Sequence, residues 1–433
     1  MRGTMLTVAN LGAQNFIRLA SNLILTRLLF PEAFGLMALV QVVLAAAAMF
    51  SDIGLHAAIV QSPRGRDPAF LNTTWTVQII RGMILAAAVV ILAAPLARFY
   101  DAPELENLLY FAALVPVVQG LNSIRMPLAD REIQYGRLVM LHIGSQLVGV
   151  CAMTALALVM QSVWALMIGS VAPAVLVAVL SHVVLKGHRD RLALDRQTVV
   201  ELFLFGRFIF FATVAAFFIN YGDRAVLGKF VSLDDLALYN IAFFLASVPI
   251  LIATELGDKI MFPLYSRKSP SENEEHRRKI NLARMGLTSM VLSGLIFMAF
   301  VGDWLVRLLY DARYEAAGPI LVAIAIAGIP IVLTQSYHKI TLARGNSFRF
   351  SVFVVVRALV QMGLLLVTVP VYGVWGAAIA PGLTALVTYP ILVWLIFPYK
   401  GWDPRHDILF ASIAVVAILV LVWFQGATLT AAF

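Results

Sequence analysis

FGRFIFFATVAAFFINYGDRAVLGKF, residues 205–230, is apolar enough for lipid, yet it holds Arg207, Asn220 and the adjacent pair Asp223–Arg224. A helix of about 20 apolar residues crosses the hydrocarbon core of a bilayer. Ionisable side chains at that depth are costly, so they face protein or a water-filled cavity and mark function. Similar apolar runs recur along the whole chain. Of its 433 residues 61% are hydrophobic and 13% charged, and the mean hydropathy is +0.89. A soluble domain carries about 25% charged residues. The sequence therefore predicts an all-α polytopic membrane protein.

Thirteen spans are predicted, at 6–29, 35–60, 72–95, 107–126, 138–160, 163–185, 203–229, 237–262, 282–302, 318–342, 350–370, 374–397 and 408–426. The breaks between them carry loop chemistry, as in SPRGRDP (62–68), KGHRDRLALDR (186–196) and RKSPSENEEHRRK (267–279). Nineteen basic residues fall in the loops on the side of the N-terminus, Arg2 and Lys268 among them, against four on the other side. The excess of Lys and Arg in cytoplasmic loops makes the N-terminus cytoplasmic and leaves the C-terminus outside. Topology then accounts for the net charge of +8, and nucleic acid is not an expected partner. The start MRGTMLTVANLGAQ lacks the features of a cleaved signal peptide. One cysteine, Cys151, allows no internal disulfide or thiolate cluster.

The chain also repeats. LTRLLFPEAFGLMALV (25–40) aligns with LGKFVSLDDLALYNIA (227–242) at an offset of 202 residues. PLADREIQYGR (127–137) aligns with TLARGNSFRFS (341–351), and each is followed by a Val-Trp step, in SVWALMIG (162–169) and GVWGAAIA (373–380), at offsets of 211 to 214. Two matches in the same order predict two pseudo-symmetric six-helix bundles, 1–185 and 201–398, joined by a basic linker, 186–200. Residues 399–433 hold one additional transmembrane helix. Both halves begin on the same side, and in transporters parallel repeats place the substrate site near the midplane.

Helical spacing puts the intramembrane polar residues on coherent faces. Asn10, Gln14, Arg18 and Ser21/Asn22 form a stripe on the first span, and Thr74, Gln78 and Arg81 form one on the third. Thr213, Asn220 and Asp223/Arg224 share a face of the seventh. Further stripes are Ser247, Thr254/Glu255 and Asp258, then Thr334, His338 and Thr341 with Gln335 and Lys339, and Arg357 with Gln361. The deep cations Arg18, Arg81, Arg224 and Arg357 are candidate substrate ligands, with pairing to helix-end carbonyls as the alternative. Arg207 and Lys259 lie near span ends where long side chains snorkel. Glu255 and Lys259 at i,i+4 can neutralise each other, and Asp52 before Gly54 is a candidate cap for a break in the second span. His56, His142 and His182 suit interfacial packing better than a metal. No zinc-protease, CxxC, Walker or nucleophile-elbow motif occurs, so neither an enzyme nor a nucleotide-driven machine is expected.

The segment 25–61, LTRLLFPEAFGLMALVQVVLAAAAMFSDIGLHAAIVQ, resembles the opening helical pair of the Wzx-type polysaccharide-transport flippases, with R-x-L-x-P-x-x-F-G-L, F-S-D-x-G and I-V-Q elements. NYGDRAVLGKF (220–230), LALYNIAF (236–243), VPI (248–250) and FPLYSR (262–267) resemble the start of that family's second half. The likeness runs over spans one to twelve. It implies the fold of the multidrug/oligosaccharidyl-lipid/polysaccharide exporter superfamily, two bundles in a V arrangement working by alternating access in the bacterial inner membrane. It further implies an undecaprenyl-diphosphate-linked oligosaccharide as substrate. Arg18, Arg81, Arg224, Arg357, Lys339 and Asn220 would then bind it, and Asp223, Glu255 and Asp258 are candidates for coupling to H+ or Na+. No other cofactor and no metal is expected; membrane lipids, a polysaccharide polymerase and chain-length proteins are the expected partners.

Two other transport readings share the superfamily. A cation-coupled drug exporter commonly has an acid in its first helix, whereas this first span has Arg18 and no Asp or Glu. A flippase for the peptidoglycan precursor is poorly separated by sequence. A non-transporting scaffold would not need polar stripes on so many helices.

Overall fold

The computed structural model describes residues 2–132, 135–267 and 273–430, with side chains for 12–132, 136–207, 209–267 and 273–423. Lys268 and the side chains of Arg2 and Asn10 lie outside the described residues. All regular structure among the described residues is helical. By contacts the chain divides into two compact units, Met1–Phe217 and Phe218–Phe433.

The first unit runs α1 (Arg2–Leu28), α2 (Pro31–Met49), α3 (Leu55–Gln61), α4 (Pro68–Phe99), α5 (Glu104–Ala112), α6 (Leu114–Gly120), α7 (Arg125–Arg131), α8 (Tyr135–Met160), α9 (Val163–Val183) and the start of α10 (Arg196–Phe230). The second continues with α11 (Leu233–Ala246), α12 (Val248–Leu256), a π-helical turn at Gly257–Met261, α13 (Phe262–Arg267), α14 (Glu274–Leu309), α15 (Ala317–Gln335), α16 (Ile340–Ala343), α17 (Ser347–Tyr372), α18 (Val374–Ile396) and α19 (Pro404–Thr430). Among the described residues ten helices are long and apolar enough to cross a membrane. The count is twelve when the bent pairs Glu104–Gly120 with Arg125–Arg131, at 55°, and Leu233–Ala246 with Val248–Arg267, at 45°, each count as one span. The remaining expected span, 6–29, falls on α1.

The helices start where short polar side chains satisfy the orphan N–H groups of a first turn. Asp67 accepts from Ala69 N ahead of Pro68, and Ser162, Ser232, Asn273 and Asn346 cap α9, α11, α14 and α17. Outward faces stay apolar, with Ile91, Val159, Leu359 and Trp394 exposed, as lipid-facing positions require. Close approach depends on missing side chains. A Cβ on Gly82 of α4 would lie 2.5 Å from Pro116 O, which is how α4 seats against α6.

Four expected spans are broken rather than straight, the second and the fourth of each half. The second helix of each half breaks, at Phe50–Gly54 and at Ser247, and so does the fourth, at Leu121–Ile124 and at Ser336–Lys339. The first break shows the cause. Ser51 Oγ donates to Ala47 O at 2.8 Å, Asp52 Oδ1 accepts from Gly54 N at 2.8 Å, and Gly54 takes φ 66°, which ends α2 well short of the expected residue 60. Asp52 is thus the cap of a break.

The unit boundary lies inside α10, later than the expected linker 186–200. That segment is stitched onto the first turns of α4. His188 Nε2 meets Asn72 Oδ1 at 2.7 Å, Arg191 N donates to the same oxygen at 3.0 Å, and Ala193 N and Asp195 N donate to Thr76 Oγ1 and Thr73 Oγ1, each at 3.0 Å. The first half of α10 then packs on the first unit. Arg64 pairs with Glu201 at 3.1 Å, a Cβ on Gly206 would lie 2.4 Å from Ile53 O, and Thr213 Oγ1 donates to Met49 O at 2.9 Å.

In the second unit α19 packs against α14 and α15 and is keyed by its first turn. Asp407 Oδ1 accepts from Tyr337 OH at 2.6 Å, while Oδ2 accepts from Tyr389 OH and, at 3.1 Å, from Trp402 Nε1. His406 Nε2 meets Thr288 Oγ1 at 3.0 Å. Beside them the buried Arg284 of α14 stacks 4.3 Å from the Tyr337 ring and donates to Gly401 O at 2.9 Å and to Tyr265 OH at 3.1 Å.

Candidate functional site

A cavity of about 720 Å³ lies within the first unit, among α1, α2, α6, α8 and α9. Its volume falls in the range of about 300–1,000 Å³ typical of small-molecule sites. Its lining includes Gln14, Arg18, Ser21 and Asn22 from α1, so the polar stripe expected on the first span does face a cavity. Other helices bring Gln41, Gln119, Asn122, His142, Ser145, Gln146 and Ser170. Among the described residues of the lining there is no Asp or Glu, and Arg18 is the one Lys or Arg. Gln146 Nε2 donates to Gln14 O at 3.0 Å, joining α8 to α1. Gln78 Nε2 donates to Asn122 O at 2.9 Å and Gly120 O at 3.0 Å, which fixes the break after α6, and Asn122 Oδ1 is buried without a hydrogen-bond partner.

Arg81 is engaged elsewhere in the same unit. Its Nε donates to Ser51 Oγ at 3.0 Å and its Nη2 to Ala48 O at 2.7 Å. It therefore tethers the last turn of α2, where free carbonyls and the negative end of the helix dipole attract a cation. It does not line the cavity that holds Arg18.

In the second unit the pair in GDR is part of a small buried cluster. Asp223 is 2% exposed, and its Oδ2 accepts from Tyr239 OH at 2.6 Å while Oδ1 accepts from Arg224 N at 2.8 Å. Arg224 Nε donates to Asn240 Oδ1 at 2.7 Å, Nη1 donates to Asn220 O at 3.0 Å, and the guanidinium lies 4.1 Å from the Phe243 ring centroid. The carboxylate is held by Tyr239, and the guanidinium by Asn240 and Phe243.

Arg357 does not join that cluster. Gln361 Nε2 on α17 donates to Ile219 O on α10 at 2.9 Å, which sets the two helices level at that point. Arg357 is one turn before Gln361 and Arg224 lies beyond Ile219, so at 1.5 Å per residue their Cα atoms are offset by about 14 Å along the helices. Arg357 Nε is buried without a hydrogen-bond partner. Near the break after α15, Lys339 pairs with Asp258, and Lys259 pairs with Glu255 at 3.3 Å, the i,i+4 neutralisation expected. His338 Nδ1 meets Gln335 O at 2.8 Å, and Gln335 Nε2 donates to Thr254 Oγ1 at 2.9 Å. Among the described residues no group of His, Cys, Asp and Glu could hold a metal ion. His56 instead meets Asp130 at 3.3 Å and His182 meets Leu121 O at 2.9 Å.

Sequence reasoning did not single out Gln41, Gln119, Asn122 or Gln146, and it read Tyr239 and Asn240 as part of the family pattern without placing them, or Phe243, around the Asp223–Arg224 pair. Isolated neutral amides in apolar helices are the available signal, weaker residue by residue than a charge.

A family profile described as polysaccharide biosynthesis protein matches residues 24–319. The chain belongs to that family. Similar proteins include the teichuronic acid biosynthesis protein TuaB of Bacillus subtilis, 23% identical over 301 residues that make up 68% of this chain and 61% of that protein. The succinoglycan biosynthesis transport protein ExoT of Rhizobium meliloti is 22% identical over 70% of this chain and 61% of its own length. The lipopolysaccharide biosynthesis protein WzxC of Escherichia coli is 19% identical over 76% of this chain and 68% of its own length. The chain thus spans about three fifths of the first two relatives. In fold this polysaccharide biosynthesis protein is similar to the lipid II flippase MurJ, with a TM-score of 0.70 at 12% identity, covering 96% of this chain and 91% of that one. It is also similar to an inward-facing multidrug transporter of the MATE family, with a TM-score of 0.66 at 13% identity, covering 90% of this chain and 95% of the other. The all-helical, many-span fold expected from the sequence is the fold observed, and both of these transporters share it.

Proposed function

We propose that the protein flips undecaprenyl-diphosphate-linked oligosaccharide repeat units from the cytoplasmic to the periplasmic leaflet by alternating access, for O-antigen, capsule or exopolysaccharide synthesis. The supporting observation is the chemistry of the first-unit cavity, which is rich in amides and hydroxyls, carries Arg18 and, among the described residues, lacks carboxylates. Such a lining suits a polyhydroxylated, neutral or anionic ligand and opposes the organic cations of a drug exporter. Family membership and the names of TuaB, ExoT and WzxC point the same way.

In this proposal Arg18, Arg224 and Arg357, with Lys339 and Asn220, contact the headgroup during transit, and Arg81 contributes by holding the end of α2. Arg357, with a buried and unpartnered Nε, is the strongest diphosphate contact of the second unit. Coupling to H+ or Na+ belongs to the same proposal. Each candidate carboxylate has a partner, so protonation or ion binding would free Tyr239 from Asp223, Lys259 from Glu255 or Lys339 from Asp258. The protein would sit in the bacterial inner membrane with its N-terminus cytoplasmic, alongside a polymerase and chain-length proteins.

The test is reconstitution in proteoliposomes with a fluorescent undecaprenyl-diphosphate oligosaccharide whose inner-leaflet fraction is shielded from an impermeant quencher. Protein-dependent loss of shielding supports the proposal. Transport of ethidium without movement of the lipid-linked glycan would replace it with the drug-exporter reading, and movement of lipid II alone would favour the peptidoglycan-precursor flippase.

A further inference from the structure

We infer that the first-unit cavity is a sugar-reading pocket that selects a carboxylate-bearing residue of the glycan, with Arg18 as the carboxylate's partner. The inference rests on the flippase proposal and assigns the sugar, rather than the diphosphate, to this cavity.

The balance of the lining carries the argument. Asn22, Gln41, Asn122 and Gln146 offer amides from four different structural elements, and Ser145 and Ser170 add hydroxyls. An amide can donate and accept at once, as can each hydroxyl of a sugar, so neutral amides from several directions read hydroxyl positions without imposing charge. A diphosphate needs several cations, and here the other three deep arginines are absent from the lining. One guanidinium instead matches one carboxylate, by two parallel hydrogen bonds. The apolar part of the lining, including Val150, Leu166 and Pro173, suits the C–H faces of a pyranose. About 720 Å³ leaves room for more than the bonded sugar alone.

The experiment uses the full-length protein in phosphatidylcholine nanodiscs and saturation-transfer NMR with free glucuronate, glucose and glucosamine as probes. Glucuronate is expected to bind about tenfold more tightly than glucose, the least effect of one charged hydrogen-bonded pair, with glucosamine weakest. Arg18→Gln should bring glucuronate to the level of glucose, and Ala174→Trp, which places an indole in the cavity, should weaken binding of all three. Unfolding midpoints control for folding. If Arg18→Gln does not fold, Arg18→Lys should fold and keep part of the preference, since it keeps charge and loses the fork. Equal binding of glucuronate and glucose, or binding of all three unchanged by Ala174→Trp, overturns the inference. So does displacement of glucuronate by added phosphatidylglycerol, which would make the cavity a lipid-headgroup site. In proteoliposomes, equal flipping of uronate-containing and wholly neutral lipid-linked glycans would sink the inference and leave the flippase proposal standing. If neither glycan moves, the flippase proposal falls and the inference falls with it.

Discussion

Replacing Arg81 by alanine separates a tether from a ligand. In the structure its guanidinium makes two hydrogen bonds, 3.0 Å to Ser51 Oγ and 2.7 Å to Ala48 O, at the end of α2. Hydrogen bonds from a charged donor contribute roughly 1.5–3 kcal/mol each. Arg81 is only half-buried, so water recovers part of that loss, and we expect Arg81→Ala to destabilise the protein by about 2–4 kcal/mol. Arg81→Lys can keep one of the two bonds and should lose about half as much. Ser51→Ala removes the first bond, so the double variant should show a coupling of about 1 kcal/mol. Unfolding of the purified variants by SDS titration gives these differences, and flipping is then compared at matched membrane abundance. Flipping per folded molecule should change little. A variant as stable as the parent that no longer flips would refute the tether and return Arg81 to the substrate site.

Asp407→Ala should destabilise the second unit by roughly 3–5 kcal/mol, the scale for breaking a buried charged network by removing one partner, seen as a lower unfolding midpoint. Gly206→Val should be poorly tolerated because even a Cβ would lie 2.4 Å from Ile53 O, and abundance in the membrane reports it. Arg224→Lys keeps the charge but loses the planar group that bonds Asn240 and stacks on Phe243, so flipping should fall several-fold while Asn220→Ala has a smaller effect. At the foot of α4, Arg64 holds the Asp67 carboxyl below its ordinary value of 3.8, and hydrogen bonds from Thr198 do the same for Asp195. Depressed carboxyl pKa values mean that the contribution is full above pH 3.8 and is lost as pH falls through the lower folded values. Amide exchange over residues 193–201 should therefore accelerate on acidification below that point before the apolar core responds, and uniform protection would contradict it.

Much of the fold was legible because long apolar runs have few structures open to them in lipid. The repeat was legible too, through 25–40 and 227–242, and the structure adds that the halves share their helix breaks. The breaks themselves were less visible. Ser336–Lys339 reads as helix by periodicity, and only Asp52 before Gly54 announced the one in the second span. From Gln14 onward the stripe on α1 faces a cavity, but one-dimensional spacing cannot say which charges share it. Arg18 and Arg81 look alike in sequence, and what separates them is Ala48 O, a backbone atom that no side-chain pattern records. The order within the linker was hidden for a related reason. KGHRDRLALDR has the composition of a free loop, and the partners that order it are Asn72, Thr73 and Thr76, more than a hundred residues earlier.

The docking of α19 has a consequence for how the chain is made. Arg284 enters the membrane with α14 early in synthesis of the second unit, yet one of its acceptors, Gly401 O, and the acid that fixes Tyr337, Asp407, are translated more than a hundred residues later. Until then a guanidinium and a phenol wait for their partners at an unfinished edge of the bundle. A ribosome that stops before residue 401 would release a polypeptide with its other helices and an open charged seam, the kind of defect a membrane protease can recognise. Docking of α19 thus closes the seam, and chains ending at 398 should be degraded in the cell far faster than their loss of apolar packing alone would suggest.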